Sequence, residues 1–146
     1  GEKGNFMDRR TSLYLYAWRN HIDVDYFPMQ TAEAFSVPIG GTCAIALDPR
    51  KIRSAADEAV KLSHELGHCV YGGFYNKYTP FDVRAQHENK ANAWAVFRLI
   101  PWGKLKQAVK SGITEVWDLA EYFDVTEDFM RWAIAYYTER KNYKFE

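Results

Sequence analysis

The stretch Ser63-His64-Glu65-Leu66-Gly67-His68-Cys69 reads H-E-x-x-H inside a helix-favouring run from about Ser54 to Val70. Residues four apart share one helix face, so His64 and His68 point the same way. Two imidazoles on one face can hold a single zinc ion at about 2.0–2.1 Å. Glu65 lies roughly 100° further round the helix. It is too far round to ligate beside the histidines, but it can reach water at the metal, where a general base belongs. The bland reading is a pair of ordinary helix histidines. The run Ala55-Ala56-Asp57-Glu58-Ala59-Val60-Lys61-Leu62 and the stop at Gly72-Gly73 supply the helix that the metal reading needs.

A third ligand is expected from the next helical run, Gln86 to Ile100. There Glu88, Ala91, Asn92, Ala95 and Leu99 share a face. Small side chains at Ala91 and Ala95 let two helix backbones approach, which brings Glu88 to a metal held by the first helix. A His₂Glu set leaves one position open, the catalytic form of a zinc site rather than the structural one. His87 and Asp82 compete for the third place, without the same small-residue stripe behind them. Glu88 as a solvated surface charge is the alternative.

These side chains need a scaffold. Met7 to His21 carries Leu13, Tyr14, Ala17 and Trp18 at helical spacing, with Arg9, Arg10 and Arg19 for the wet face. Ile22, Val24 and Tyr26 alternate with Asp23 and Asp25, and Phe35, Val37 and Ile39 alternate again, which argues for strands. Gly40-Gly41 offers a tight turn, Cys43 to Leu47 is an apolar run, and Asp48-Pro49 ends it. A small, mainly antiparallel sheet is therefore expected before the motif helix, with Ala44 to Leu47 as the strand edge that aligns an extended substrate. Phe74 to Val83 reads as a polar, aromatic connection. Beyond Pro101 come three helices: Trp102 to Lys110, one capped by Thr114, and one capped by Thr126 with Phe129, Met130, Ala133, Ile134 and Tyr137 on its buried stripe.

Composition narrows the classes. The 146 residues are 47% hydrophobic and 16% aromatic with zero net charge, as expected of one globular domain over residues 1–146. Residues 1–6 read as an unstructured or trimmed end. No overall field draws such a chain to nucleic acid or to an anionic membrane. Leu119 to Thr126 resembles the turn of a helix-turn-helix, yet Ile113 to Ala133 holds six acids against one base, Arg131. A surface for phosphates should be positive. That stretch reads as a solvated face, or as a dock for a basic partner. The polar start shows no secretory leader, and no apolar run approaches the roughly 20 residues of a membrane span. Cys43 and Cys69 read as reduced, buried small side chains, and the protein as soluble and cytoplasmic.

The two motifs in order, His64-Glu65-Leu66-Gly67-His68 and Glu88-Asn89-Lys90-Ala91-Asn92-Ala93-Trp94-Ala95, followed by Leu99-Ile100-Pro101, resemble the ImmA/IrrE family of metallopeptidases. The likeness runs from about Ile22 to the C-terminal end. It implies an α+β, zincin-like domain, with a short sheet packed against the H-E-x-x-H helix, a second ligand helix and C-terminal helices. It implies His64, His68 and Glu88 as ligands of one zinc in a gluzincin-like site, with Glu65 as catalytic base. It also implies site-specific cleavage of a helix-turn-helix repressor of a mobile element or stress response, a protein partner with no direct nucleic-acid contact. Three positions depart from the family pattern: Gly72 where many members have a further His, Trp94 for Phe, and Arg98 for an apolar residue. Tyr71, Tyr75, Tyr78 and His87 are candidates for stabilising an oxyanion. The rival reading is a non-catalytic module that binds a transcriptional regulator and uses zinc only to join two helices.

Overall fold

A computed structural model describes residues 8–146, so the expectations for residues 1–6 and for Met7 lie outside the described residues. Helix α1 (Arg9–Arg19) starts at Asp8, whose carboxylate accepts from the backbone N–H of Arg10 and Thr11. Its buried stripe is narrow, only Leu13 and Ala17. Trp18, expected on that stripe, is 75% exposed because it stands about 100° beyond Ala17.

Three strands follow: β1 (Asp23–Tyr26), β2 (Ala34–Ile39) and β3 (Thr42–Leu47). Their order is β1-β3-β2, with β3 parallel to β1 and antiparallel to β2. The sheet is thus mixed, and its longer pairing, β2 with β3, is antiparallel. Gly40 and Gly41 both take positive φ, 51° and 83°, as a two-residue hairpin turn between β2 and β3 requires. The continuous apolar run of β3 fits its central place, since a strand covered on both faces does not alternate. Central position overturns Ala44 to Leu47 as the substrate-aligning edge. Both sides of β3 are already paired, and among the described residues β2 pairs only with β3.

Asp48, just past β3, is fully buried. Its carboxylate accepts from the Met29 N–H at 2.9 Å and the Arg50 N–H at 3.0 Å, and pairs with the Arg50 guanidinium at 3.0 Å. Hydrogen bonds from Arg50 and from the Met29 backbone hold the acid well below the usual carboxylate range. Lys51 donates to the carbonyls of Met29 and Ala32, both at 2.9 Å. Together these groups pin the link between β1 and β2 against the sheet.

Helix α2 (Ala55–Tyr71) is capped by the Ser54 hydroxyl, which accepts from Asp57 N–H at 3.0 Å, and closed by Gly72 in the left-handed region, φ 64°. Helix α3 (Phe81–Leu99) begins five residues before the expected Gln86, directly after Pro80. Helices α4 (Trp102–Lys110), α5 (Val116–Phe123) and α6 (Glu127–Ala135) follow, and a π-helical turn (Tyr136–Arg140) continues α6. Thr126 caps α6 as expected, accepting from Phe129 N–H at 3.2 Å. Thr114 does not cap α5; Glu115 holds that place without a side-chain cap. The core joins Leu47 of the sheet to Leu62 and Leu66 of α2, Leu99 of α3, and Met130 and Tyr137 at the C-terminal end. Tyr137 satisfies its buried hydroxyl by donating to the Ile100 carbonyl at 2.7 Å.

Two features tie α2 to its neighbours. A Cβ added to Gly67 would lie 2.7 Å from the Ala91 carbonyl oxygen and 2.8 Å from its Cα, so α2 and α3 touch backbone to backbone there. On the other side, Cys69 of α2 is disulfide-bonded to Cys43 of β3, with Cα atoms 5.7 Å apart. The expectation of two reduced cysteines is therefore corrected. Residues 26 apart meet because the last turn of α2 packs on the start of β3, a juxtaposition that no local spacing reveals. Among the described residues no helix is long and apolar enough to cross a membrane.

Candidate metal centre

The Gly67–Ala91 contact sets the site, because it brings the face of α2 carrying His64 and His68 against the face of α3 carrying Glu88. The two Nε2 atoms are 3.2 Å apart. Glu88 Oε2 is 2.7 Å from His64 Nε2, and Oε1 is 3.2 Å from His68 Nε2. Taken as one ligand atom per residue, the three lie within 4.8 Å of one another. A tetrahedron with bonds of about 2.0–2.1 Å has edges of about 3.3–3.4 Å, so the donors already stand near the spacing that a single ion demands.

The outer ring nitrogens decide what the inner ones offer. His64 Nδ1 lies 2.7 Å from Asn92 Oδ1, and His68 Nδ1 lies 2.8 Å from the Gly73 carbonyl oxygen. Both oxygens can only accept, so each Nδ1 carries the proton. In the neutral rings each Nε2 is then a bare lone pair, and the two face each other beside a carboxylate. Three acceptors aimed at one point repel unless a cation sits among them. The arrangement is one that positions metal-binding histidines, with the second nitrogen held by an amide or carbonyl.

Electrostatics agree. Burial disfavours the His64 cation, but the hydrogen bond to Glu88 and the charges of Glu65 and Glu88 outweigh it and raise its pKa. Burial alone would raise Glu88, yet hydrogen bonds with His64, His68 and Tyr75 hold it well below the usual carboxylate range. A proton shared by His64 and Glu88 answers, in part, the same demand for positive charge.

Glu65 is buried at the base of a cleft of about 200 Å³ and accepts a hydrogen bond from the Ser36 hydroxyl of β2 at 2.9 Å. Desolvation pushes its pKa up, against the pull of His64 and the Ser36 bond. A second cavity of about 350 Å³, lined by Lys61, His64 and Asn92, opens on the other side, and Ala34 and Glu65 border both. The groove thus passes the three donors and runs beside β2.

The sequence-based candidates sort by position. His64, His68 and Glu88 converge, with Glu65 beside them. Asp82 is exposed. His87 packs against Gly73, its Nδ1 2.9 Å from where a Cβ of that residue would stand, so a larger residue there would displace the imidazole. Of the aromatic candidates, Tyr75 lines the cleft and donates to Glu88 Oε1 at 2.5 Å. Asn92, Gly73 and Ser36 were missed as supporting residues. Only Asn92 left a trace in the sequence, since it shares the helix face of Glu88. Of the departures, Gly72 serves as the left-handed helix cap, Trp94 packs on Tyr16 with ring centroids 5.3 Å apart, and Arg98 lies over Tyr16 at 5.1 Å.

No curated protein and no solved structure matches the chain. The family model of the IrrE N-terminal-like domain, a peptidase family, matches residues 21–134. That span contains all three strands, both helices of the donor group and α4, α5 and nearly all of α6. With most of its length in that match and a group of donors fit for a metal ion at its centre, the chain belongs to the IrrE N-terminal-like family of metallopeptidases.

Proposed function

We propose that this protein is a zinc-dependent endopeptidase that cleaves a helix-turn-helix repressor of a mobile element or stress response. The observation that carries the catalytic part is the meeting of the Nε2 atoms of His64 and His68 and the Glu88 carboxylate at one point on the wall of an open cleft. In this reading His64, His68 and Glu88 hold one zinc and leave a fourth position open. Zinc, when bound, supplies a Lewis acid that polarises a carbonyl and acidifies water.

Glu65 is the general base. Its burial raises its proton affinity, which suits a carboxylate that must take a proton from attacking water and return it to the leaving amine. Ser36 fixes its orientation from the sheet side. An extended peptide pairs with the outer edge of β2 around Ala34 to Val37 and lies along the groove between the two cavities. The repressor substrate follows from the family resemblance, and the acidic run through α5 and α6 offers a complementary face to a basic DNA-binding domain. A cytoplasmic location goes with that substrate. The Cys43–Cys69 bond speaks against it, since disulfides are rare in that compartment.

The test is to load the full chain with zinc and incubate it with helix-turn-helix repressors encoded beside its gene, reading products by mass spectrometry. A single cut, stopped by a chelator, is the expected result. Glu65→Gln should keep about one zinc per chain and lose cleavage by about 10²–10⁴-fold. Wild-type rates in that variant would remove Glu65 from the base role. Bound zinc with no cleavage by the wild-type protein would favour the regulator-binding module.

A further inference from the structure

Water adding to a peptide carbonyl pushes the C=O electron pair onto oxygen, and that negative charge needs a donor in the cleft. Glu65 accounts for the proton, taken from water as the new C–O bond forms and delivered to nitrogen as the C–N bond breaks. It cannot also donate to the oxyanion. The side-chain hydroxyls lining the cleft are those of Ser36 and Tyr75. Ser36 already donates to Glu65 at 2.9 Å. Tyr75 donates to Glu88 Oε1 at 2.5 Å, and Glu88 Oε1 is itself 3.2 Å from His68 Nε2. The phenol therefore stands beside the point where the three donors meet, on the cleft side. Its ring is braced from two directions, lying parallel to His87 at 6.4 Å between centroids and edge-on to His68 at 6.3 Å. Tyr71 and Tyr78 line no part of this cleft and are 53% and 81% exposed.

We propose that Tyr75 is a further catalytic residue, the hydroxyl that donates a hydrogen bond to the oxyanion formed during peptide hydrolysis. The proposal rests on the peptidase reading above. If Glu88 shared its charge with a bound cation, it would accept a weaker hydrogen bond than a free carboxylate and would hold the phenol less tightly. The hydroxyl then turns by rotation about its own C–O bond and a small ring movement, with no bond broken. Tyr75 keeps its proton throughout. Its contribution is stronger donation to the oxyanion than to the ground-state carbonyl, which lowers the barrier without tightening substrate binding.

The experiment compares zinc-loaded wild-type chain, Tyr75→Phe and Tyr78→Phe on a library of fluorescence-quenched peptides, with zinc content measured in each. Binding of a phosphinic peptide, a tetrahedral mimic that needs no turnover, is measured in parallel. Tyr75→Phe should lower kcat by about 10²–10³-fold, leave KM within a few-fold, keep one zinc per chain, and weaken the phosphinic peptide by a similar factor. Tyr78→Phe should match the wild type. Wild-type kcat in Tyr75→Phe overturns the proposal. So does a loss of activity that follows a loss of zinc, because Tyr75 would then only position Glu88. A zinc-loaded wild-type protein that cleaves no peptide and ignores the phosphinic probe overturns the peptidase reading itself, and the proposal with it.

Discussion

His64 carries two opposed demands, and pH separates them. In the metal-free protein its pKa is raised by Glu88 and Glu65 against the effect of burial. A raised histidine stabilises the fold below its unfolded value of about 6.5, and that contribution is lost as pH rises through the higher folded value. Glu88 is lowered, so its contribution is present above about pH 4.3 and lost as pH falls through its folded value. The pair therefore stabilises the metal-free chain most between about pH 4.5 and 6.5. A metal needs the neutral imidazole, so it displaces the proton. Zinc titration by calorimetry, in buffers of different ionisation enthalpy, should find close to one proton released from His64 near pH 6 and fewer at pH 8.5. No release from His64 at pH 6 would mean it is neutral before zinc arrives. The three donors were legible as types and spacings. Their orienting partners were less so: Asn92 reaches His64 across a helix pair, and Gly73 acts through its backbone, which carries no side-chain signature.

Between elements, the α2–α3 contact was half readable. Ala91 and Ala95 announced that α3 offers a flat face, but its counterpart Gly67 sits inside the motif itself, at a position the motif leaves open. Alanine is favoured over glycine within a helix by about 1 kcal/mol, so Gly67→Ala would stabilise α2 in isolation. Here the new methyl meets the Ala91 backbone at 2.7 Å, and backbone cannot rotate aside as a side chain does. The clash wins, at about 1–3 kcal/mol of overpacking, and pushes Glu88 from the histidines. Gly67→Ala should lose both thermal stability and zinc affinity, the latter by tenfold or more. Gly103 is the control, since a Cβ there meets nothing within 4 Å; Gly103→Ala should raise stability by about 0.5–1 kcal/mol. Parity between the two variants in a melting series would show that the helices have room to spare. The early start of α3 has a local reason as well. Pro80 directly precedes Phe81, and proline's fixed φ and missing N–H suit a helix start. Aromatic residues at 78 and 81 masked that signal.

For the molecule as a whole, the helical class and the C-terminal stripe were written in periodicity, whereas strand order was not. An apolar run reports coverage on both faces and says nothing about which strand lies on each side, so it does not tell a central β3 from an edge. The cysteine pair was hidden for a related reason, since contacts between distant elements leave no periodic trace. The Cys43–Cys69 bond closes a loop across sheet and helix with a separation of 26 residues, for which chain entropy suggests about 3 kcal/mol. Reduction, or Cys43→Ser, should lower Tm by on the order of 10 °C in a chain of this size. An unchanged Tm, or two titratable thiols in the untreated protein, would refute the bond. The sheet also treats its two margins unequally. β1 is short and carries Asp23 and Asp25, charges that discourage another strand from joining. β2 has no charged residue, so its margin is left open. That open margin is therefore where two copies in concentrated solution would first stick together, and Pro38, with no N–H to give, keeps the stretch available for such pairing down to a few residues.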